Sequence, residues 1–196
     1  MGREEEHPGK KVITTSNNTW SSETESLLKR WGEKAFGLRW MHVRNASHWK
    51  QIDNNLSVTS IVLGSIASVT SMTSADSNKP SNYQAYIMYA VGISGLVSVI
   101  CQSIKRFYNG EEKSNRHSIT AKQFGSFHRT IALQLGTTRA NRMSPDILGD
   151  WALTEYERIQ KNAPDIQEKI MCRFKKMFGH TEMPVPDILN ENFTHF

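Results

Sequence analysis

Two consecutive stretches of this chain carry no charged residue, one between Asp53 and Asp76 and the other between Lys79 and Lys105. In a chain that is 22% charged overall, gaps of that length restrict the fold sharply. A helix needs about 20 apolar residues, each rising about 1.5 Å, to cross a hydrocarbon layer about 30 Å thick. Both gaps meet that length, and the polar segment Asp76-Ser-Asn-Lys-Pro-Ser-Asn82 reads as the connection between them. The pair is therefore expected to form a transmembrane helical hairpin. The mean hydropathy of −0.51 conceals it, because the apolar residues concentrate at 56–104 and the flanks are polar.

The two runs differ in strength. The first, Leu56 to Thr73, is uncharged but rich in Ser and Thr, so its hydropathy is marginal. The second runs from Tyr83 through Ile87, Val91, Ile93, Leu96, Val97, Val99 and Ile104. Tyr83, Tyr86 and Tyr89 cluster at its start and Phe107 and Tyr108 follow its end, where an aromatic belt would sit. Small residues recur at Ser60, Gly64 and Ser68 in the first run and at Gly92 and Gly95 in the second. Such residues let helices approach closely in lipid, so they are expected to pack the hairpin against itself. The alternatives are a polar stripe lining an oligomeric pore and a Ser/Thr-rich helix buried in a soluble bundle.

Orientation follows from the basic flanks. Arg39, Arg44 and Lys50 precede the first run, and Lys105, Arg106 and Lys113 follow the second, whereas the connection has only Lys79 against Asp76. The excess of Lys and Arg puts both termini on the cytosolic side. Arg44, Lys50, Lys105 and Arg106 are the basic residues expected to flank the membrane. The sequons at Asn17, Asn45 and Asn192 would then all be cytosolic and unused.

The remainder reads as all-α: a long N-terminal helix, the hairpin, then C-terminal cytosolic helices. Residues 1–18 carry no period and form an exposed arm. Residues 19–52 are expected to form an amphipathic helix. Ser22 and Glu25 have capping-box spacing, and one stripe runs through Leu28, Trp31, Ala35, Leu38, His42, Asn45 and Trp49. Asp53-Asn54-Asn55 is the expected break before the hairpin, which occupies 53–106. The C-terminal helical region is 107–181. It holds a helix over 116–136, a short one restarted at Ser144-Pro145-Asp146, and a basic one from Ile166 to Phe178 after Pro164. The tail, 182–196, is extended and polar.

Chemistry is sparse. Met1 to Gly9 contains no apolar stretch, so insertion would be signalled by the internal runs. The two cysteines, Cys101 and Cys172, lie in different settings and form no CxxC motif. His42 and His48 are too far round a helix to share a face, and His117 and His128 read as solvated or core histidines. No nucleophile elbow, phosphate loop or metal spacing is present, so no catalytic residue, metal ligand or cofactor is expected, and the protein reads as a non-enzyme. The net charge of +5 has no run of five consecutive Lys or Arg, which argues against nucleic acid and suits anionic lipid. The basic stretch Lys169 to Lys176 reads as a solvated helix face or an electrostatic contact.

The segment from Thr19-Trp20 to Trp31-Gly-Glu-Lys-Ala35, with Arg39-Trp40-Met41-His42, resembles the SLATT-like two-transmembrane proteins of nucleocytoplasmic large DNA viruses. Tyr156 to Ile166 and Pro184-Val-Pro186-Asp-Ile-Leu-Asn190 resemble the same group's C-terminal part, so the resemblance covers roughly residues 19–190. It implies a structural role as a membrane-anchored minor capsid protein. Such a protein would tie the virion's inner, endoplasmic-reticulum-derived membrane to the capsid shell. The implied partners are the lipid bilayer, capsid or other minor capsid proteins, and a second copy of the chain. Trp20, Trp31, Trp40 and His42 are the residues expected to meet those partners. The alternative it implies is a SLATT-type pore-forming membrane effector.

Overall fold

A computed structural model describes residues 19–73 and 81–179, with Pro184 and Pro186. The expected arm at 1–18, residues 76–80 of the expected connection and most of the 182–196 tail lie outside the described residues, while Ser81 and Asn82, expected in that connection, open the second helix. Every described element is helical. The order is α1 (Ser22–Thr73), α2 (Ser81–Tyr108), α3 (Gly110–Gly136), a 3-10 turn (Arg139–Asn141), α4 (Pro145–Asn162) and α5 (Glu168–Phe178).

The first helix starts one residue away from the expected capping box. Ser21, not Ser22, is the cap, its Oγ accepting the Thr24 N–H at 3.1 Å. Glu25 is drawn off to Arg139 and Arg142. α1 then continues for 52 residues, about 78 Å at 1.5 Å per residue. The expected break at Asp53-Asn54-Asn55 does not occur. Asp and Asn cost only a few tenths of a kcal/mol each in a helix interior. Here Asp53 is held by Lys105 at 3.3 Å from the facing helix, and tertiary contact overrides the weak local preference.

α2 and α3 together form one antiparallel partner for the whole of α1. Contacts pair Ser60 with Ser98, Asp53 with Lys105, Ala46 with Ser114, His42 with His117 and Gly32 with His128. The sum of the paired numbers stays nearly constant, so the register does not slip along the pair. A single residue separates the two helices: Asn109 takes a left-handed conformation, φ 45°, which Asn tolerates better than most residues. The next position needs glycine for space. A Cβ at Gly110 would lie 3.2 Å from both the Asp53 Cβ and the Trp49 carbonyl oxygen, so α3 can begin pressed against α1. α3 therefore begins at Gly110, six residues before the start expected at 116.

The molecule divides by what covers this pair. Along residues 22–52, α4 and α5 close over α1 and α3 and complete a core. Leu28, Ala35, Leu38 and Met41 meet Phe124, Phe127 and Ile131 there, with Leu148, Ala152 and Ile159 of α4 and Ile170, Met171 and Phe174 of α5. Trp151 stacks on Phe127 at 5.5 Å, and Trp40 packs edgewise and tilted against Phe178 and Phe174. Arg142 locks the far end. It donates to the Leu135 and Thr137 carbonyls that end α3, pairs with Glu25 at 2.6 Å, and lies over the Trp20 ring. Along residues 53–73 and 84–108 nothing covers the pair among the described residues.

Candidate functional site

The uncovered arm of α1 and α2 is the most unusual surface of the molecule. Val58, Ile61, Val62, Ile66 and Val69 on α1, and Tyr86, Met88, Tyr89, Ile93, Leu96 and Val99 on α2, are all exposed. Ile61, Ile93 and Leu96 each keep more than 60% of their surface accessible. Water-facing surfaces rarely carry a contiguous apolar patch of this size, and a patch of this kind marks a surface with another apolar phase or partner against it. One helical stretch, from Gln84 through α2 into α3, is long and apolar enough to cross a membrane.

Hydroxyls of the first run are satisfied on their own helix. Ser65, Ser68, Thr70 and Ser71 each donate to the carbonyl four residues earlier, at 2.7–2.9 Å. Ser103 on α2 does the same toward Val99. A hydroxyl satisfied on its own helix avoids the several kcal/mol of desolvation that an unpaired one would cost in hydrocarbon.

The expected packing residues divide in two. Ser60 faces α2: its Oγ is 3.1 Å from the Ser98 Oγ, and Gln102 Nε2 donates to it at 3.2 Å. The glycines do not make the close contact expected of them. A Cβ added at Gly64, Gly92 or Gly95 would meet nothing within 4 Å. Gly64 and Ser68 instead edge an open cleft with Ser65, Ser98 and Gln102. Hydrogen bonding at Ser60 and Ser98, rather than glycine close approach, joins the two helices.

Where the arm meets the bundle the side chains change character abruptly. Lys105 Nζ sits 3.3 Å from the Asp53 carboxylate and donates to Ser57 Oγ at 2.8 Å. Trp49 and Tyr108 lie 6.4 Å apart, with the Lys113 ammonium 4.4 Å above the Trp49 ring. Phe107 projects almost fully exposed beside Arg106. Lys50 is one turn below. Arg44 stands nine residues before Asp53, about 13 Å down the helix, and lies over Trp40.

The four residues expected to meet partners are instead turned inward. Trp20 and His42 are buried, and Trp31 and Trp40 pack against Tyr156 and against Phe174 with Phe178. Trp31 and His42 lie on the stripe that faces α3, α4 and α5, and Trp20 and Trp40 pack into or against the same core. Asn45, which opens one of the sequons, is also buried; its side chain donates to the Met41 carbonyl and accepts the Gln167 N–H.

One pairing was not visible in the sequence. His42 and His117, 75 residues apart, meet inside the bundle with their Nδ1 atoms 2.9 Å apart. Burial holds both neutral. It pushes His42 down to about 3, assisted by the charge of His117, and His117 down to about 4, assisted by Arg116. The polar turn of the α1 stripe at His42 was the signal, but only the α1–α3 register says which residue answers it. Among the described residues no group of three or more His, Cys, Asp or Glu could hold a metal ion. No family model, curated protein or solved structure matches the chain.

Proposed function

We propose that this protein is a non-enzymatic membrane anchor. In this reading residues 53–73 and 84–106 cross a bilayer as a two-helix hairpin, and the bundle of α1, α3, α4 and α5 stands on the cytosolic side. The observation that carries it is the exposed apolar arm, whose side chains would otherwise face water beside a fully formed core. The internally satisfied hydroxyls support counting the α1 run as the second span. The Trp49–Tyr108–Lys113 cluster and the cations Lys50, Lys105 and Arg106 suit a membrane boundary with both termini inside. The resemblance to viral SLATT-like proteins supports a finer reading, a minor capsid protein joining an internal virion membrane to its shell. Because α1 runs unbroken from the arm into the core, the bundle would be held upright by the anchor.

Alkaline carbonate extraction tests the anchor: the protein is expected to stay with the membrane pellet, and release into the supernatant would overturn the proposal. Its presence in the membrane fraction of purified virions tests the finer reading, and its absence there would end it. A pore-forming effector is the second reading, favoured by the polar cleft at Ser60, Ser65, Ser68, Ser98 and Gln102. Dye leakage from liposomes carrying the protein would support it, and unchanged permeability would count against it.

A further inference from the structure

Among the described residues, α4 and α5 close the bundle on one side. On another side α1 and α3 leave a groove of about 760 Å³ that reaches from Arg39 and Arg129 up to Asp53 and Asn54. Its lining includes the small residues Ala46 and Ser47 of α1 and Ser114, Ser118, Ala121 and Gly125 of α3. On α3 these recur at spacings of four, three and four, which sets them along one helical face. Small side chains there let a third helix approach the pair closely.

The end of the groove far from the arm is cationic. Arg39 from α1 lies across Gly125, its Nε 3.2 Å from the position a Cβ would take there, and the Arg129 Nη1 lies 3.5 Å from the same point. Two guanidinium groups thus converge on a space kept open by the absence of a side chain, and Lys122 lines the groove nearby. No ion pair joins Arg39 or Arg129 to a carboxylate among the described residues. The groove's two carboxylates, Asp53 and Glu111, lie toward its other end, and Asp53 is engaged by Lys105.

We infer that this groove docks an acidic amphipathic helix of a partner protein, a carboxylate of which is clamped between Arg39 and Arg129. Paired guanidinium groups take a carboxylate through charge-assisted, often bidentate, hydrogen bonds. Two other occupants fit less well. A second copy presenting the same face would bring like charges together, which opposes association. A lipid headgroup does not reach. Arg39 is 14 residues before Asp53, about 21 Å along α1, whereas a headgroup layer is only about 5–8 Å thick. The lipid argument rests on the membrane placement proposed above; the groove and its charge do not.

The test uses the full chain in detergent, so its outcome is separate from that of carbonate extraction. The probes are a stapled, fluorescent 16-residue Ala/Glu helix with its glutamates on one face, and the same helix with Lys for Glu. Anisotropy is expected to show binding of the acidic helix alone. Arg39→Gln with Arg129→Gln should weaken it about tenfold or more. Arg129→Glu alone changes an exposed residue, spares the core and should weaken binding of the acidic helix at least as much, because the new carboxylate pairs with Arg39. Equal binding of both peptides, or affinity unchanged in both variants, would overturn the inference. Displacement of the acidic helix by phosphatidylserine added to the detergent micelles, where phosphatidylcholine displaces none, would overturn it too, reassigning the groove to lipid.

Discussion

His42 and His117 approach within 2.9 Å through the same kind of ring nitrogen, so one Nδ1 donates its N–H and the other accepts it. That arrangement needs the accepting ring neutral, burial disfavours charge on the donor as well, and Phe124 stacks on His42 at 5.8 Å. The groups facing the pair are Arg116, which opposes protonation of His117, and Asp165, which favours it weakly. Both pKa values lie below the ordinary value of 6.5. The unfolded chain therefore binds more protons than the folded one as pH falls below 6.5, and stability is lost in that direction. The loss is expected to accumulate toward pH 4 at up to about 1.4 kcal/mol per pH unit for each histidine. Urea unfolding of the protein in detergent across pH 4–8 would measure it, with a plateau above pH 7. Replacing both residues by leucine should flatten the slope; a slope unchanged in that variant would place the acid sensitivity elsewhere.

The docking of α5 on α1 depends on how closely the two helices can approach. A Cβ at Gly37 would come 3.0 Å from the Phe174 ring and 3.1 Å from Pro186, both themselves buried, so Gly37→Ala must push α5 away. Gly32 differs: its nearest neighbour, an Ile131 methyl, is 3.4 Å away, and alanine fits. Gly37→Ala is expected to destabilise by about 1–3 kcal/mol through overpacking, more than its helix-propensity gain of about 1 kcal/mol. Gly32→Ala should stabilise by up to about 1 kcal/mol, and thermal unfolding of the two variants side by side reads the opposite signs. Elements with strong local punctuation were legible in the sequence. Ser144-Pro145 starts α4 as read, Pro164 separates it from α5, and the stripe from Leu28 to Asn45 is the face α1 buries. The break at Asp53-Asn54-Asn55 and the late start of α3 were misread, since Lys105 and the close seat at Gly110 come from a helix about fifty residues away. The basic groove was equally hidden, because Arg39 and Arg129 meet only through the α1–α3 register.

At the scale of the whole molecule, one uninterrupted helix joins two environments that the sequence kept apart by composition. The core residues of α1 end near Asn45 and its continuous run of exposed apolar residues begins at Val58, with the Asp53–Lys105 pair between. The two free cysteines report on the two halves. Cys101 is half-buried on α2, four residues before Lys105 and so about 6 Å into the arm, whereas Cys172 is exposed on α5. If the arm lies in a bilayer, a thiolate at position 101 has no access to an aqueous reagent. In membranes opened to the cytosolic side, a membrane-impermeant maleimide is expected to label Cys172 rapidly and Cys101 hardly at all. Dissolving the membrane in SDS should then release both thiols. A Cys172→Ser variant isolates the signal of Cys101, so protection is read from that residue alone. Labelling of Cys101 in intact membranes at the rate of Cys172 would mean that the arm faces water, and its apolar surface would then need a protein partner rather than lipid.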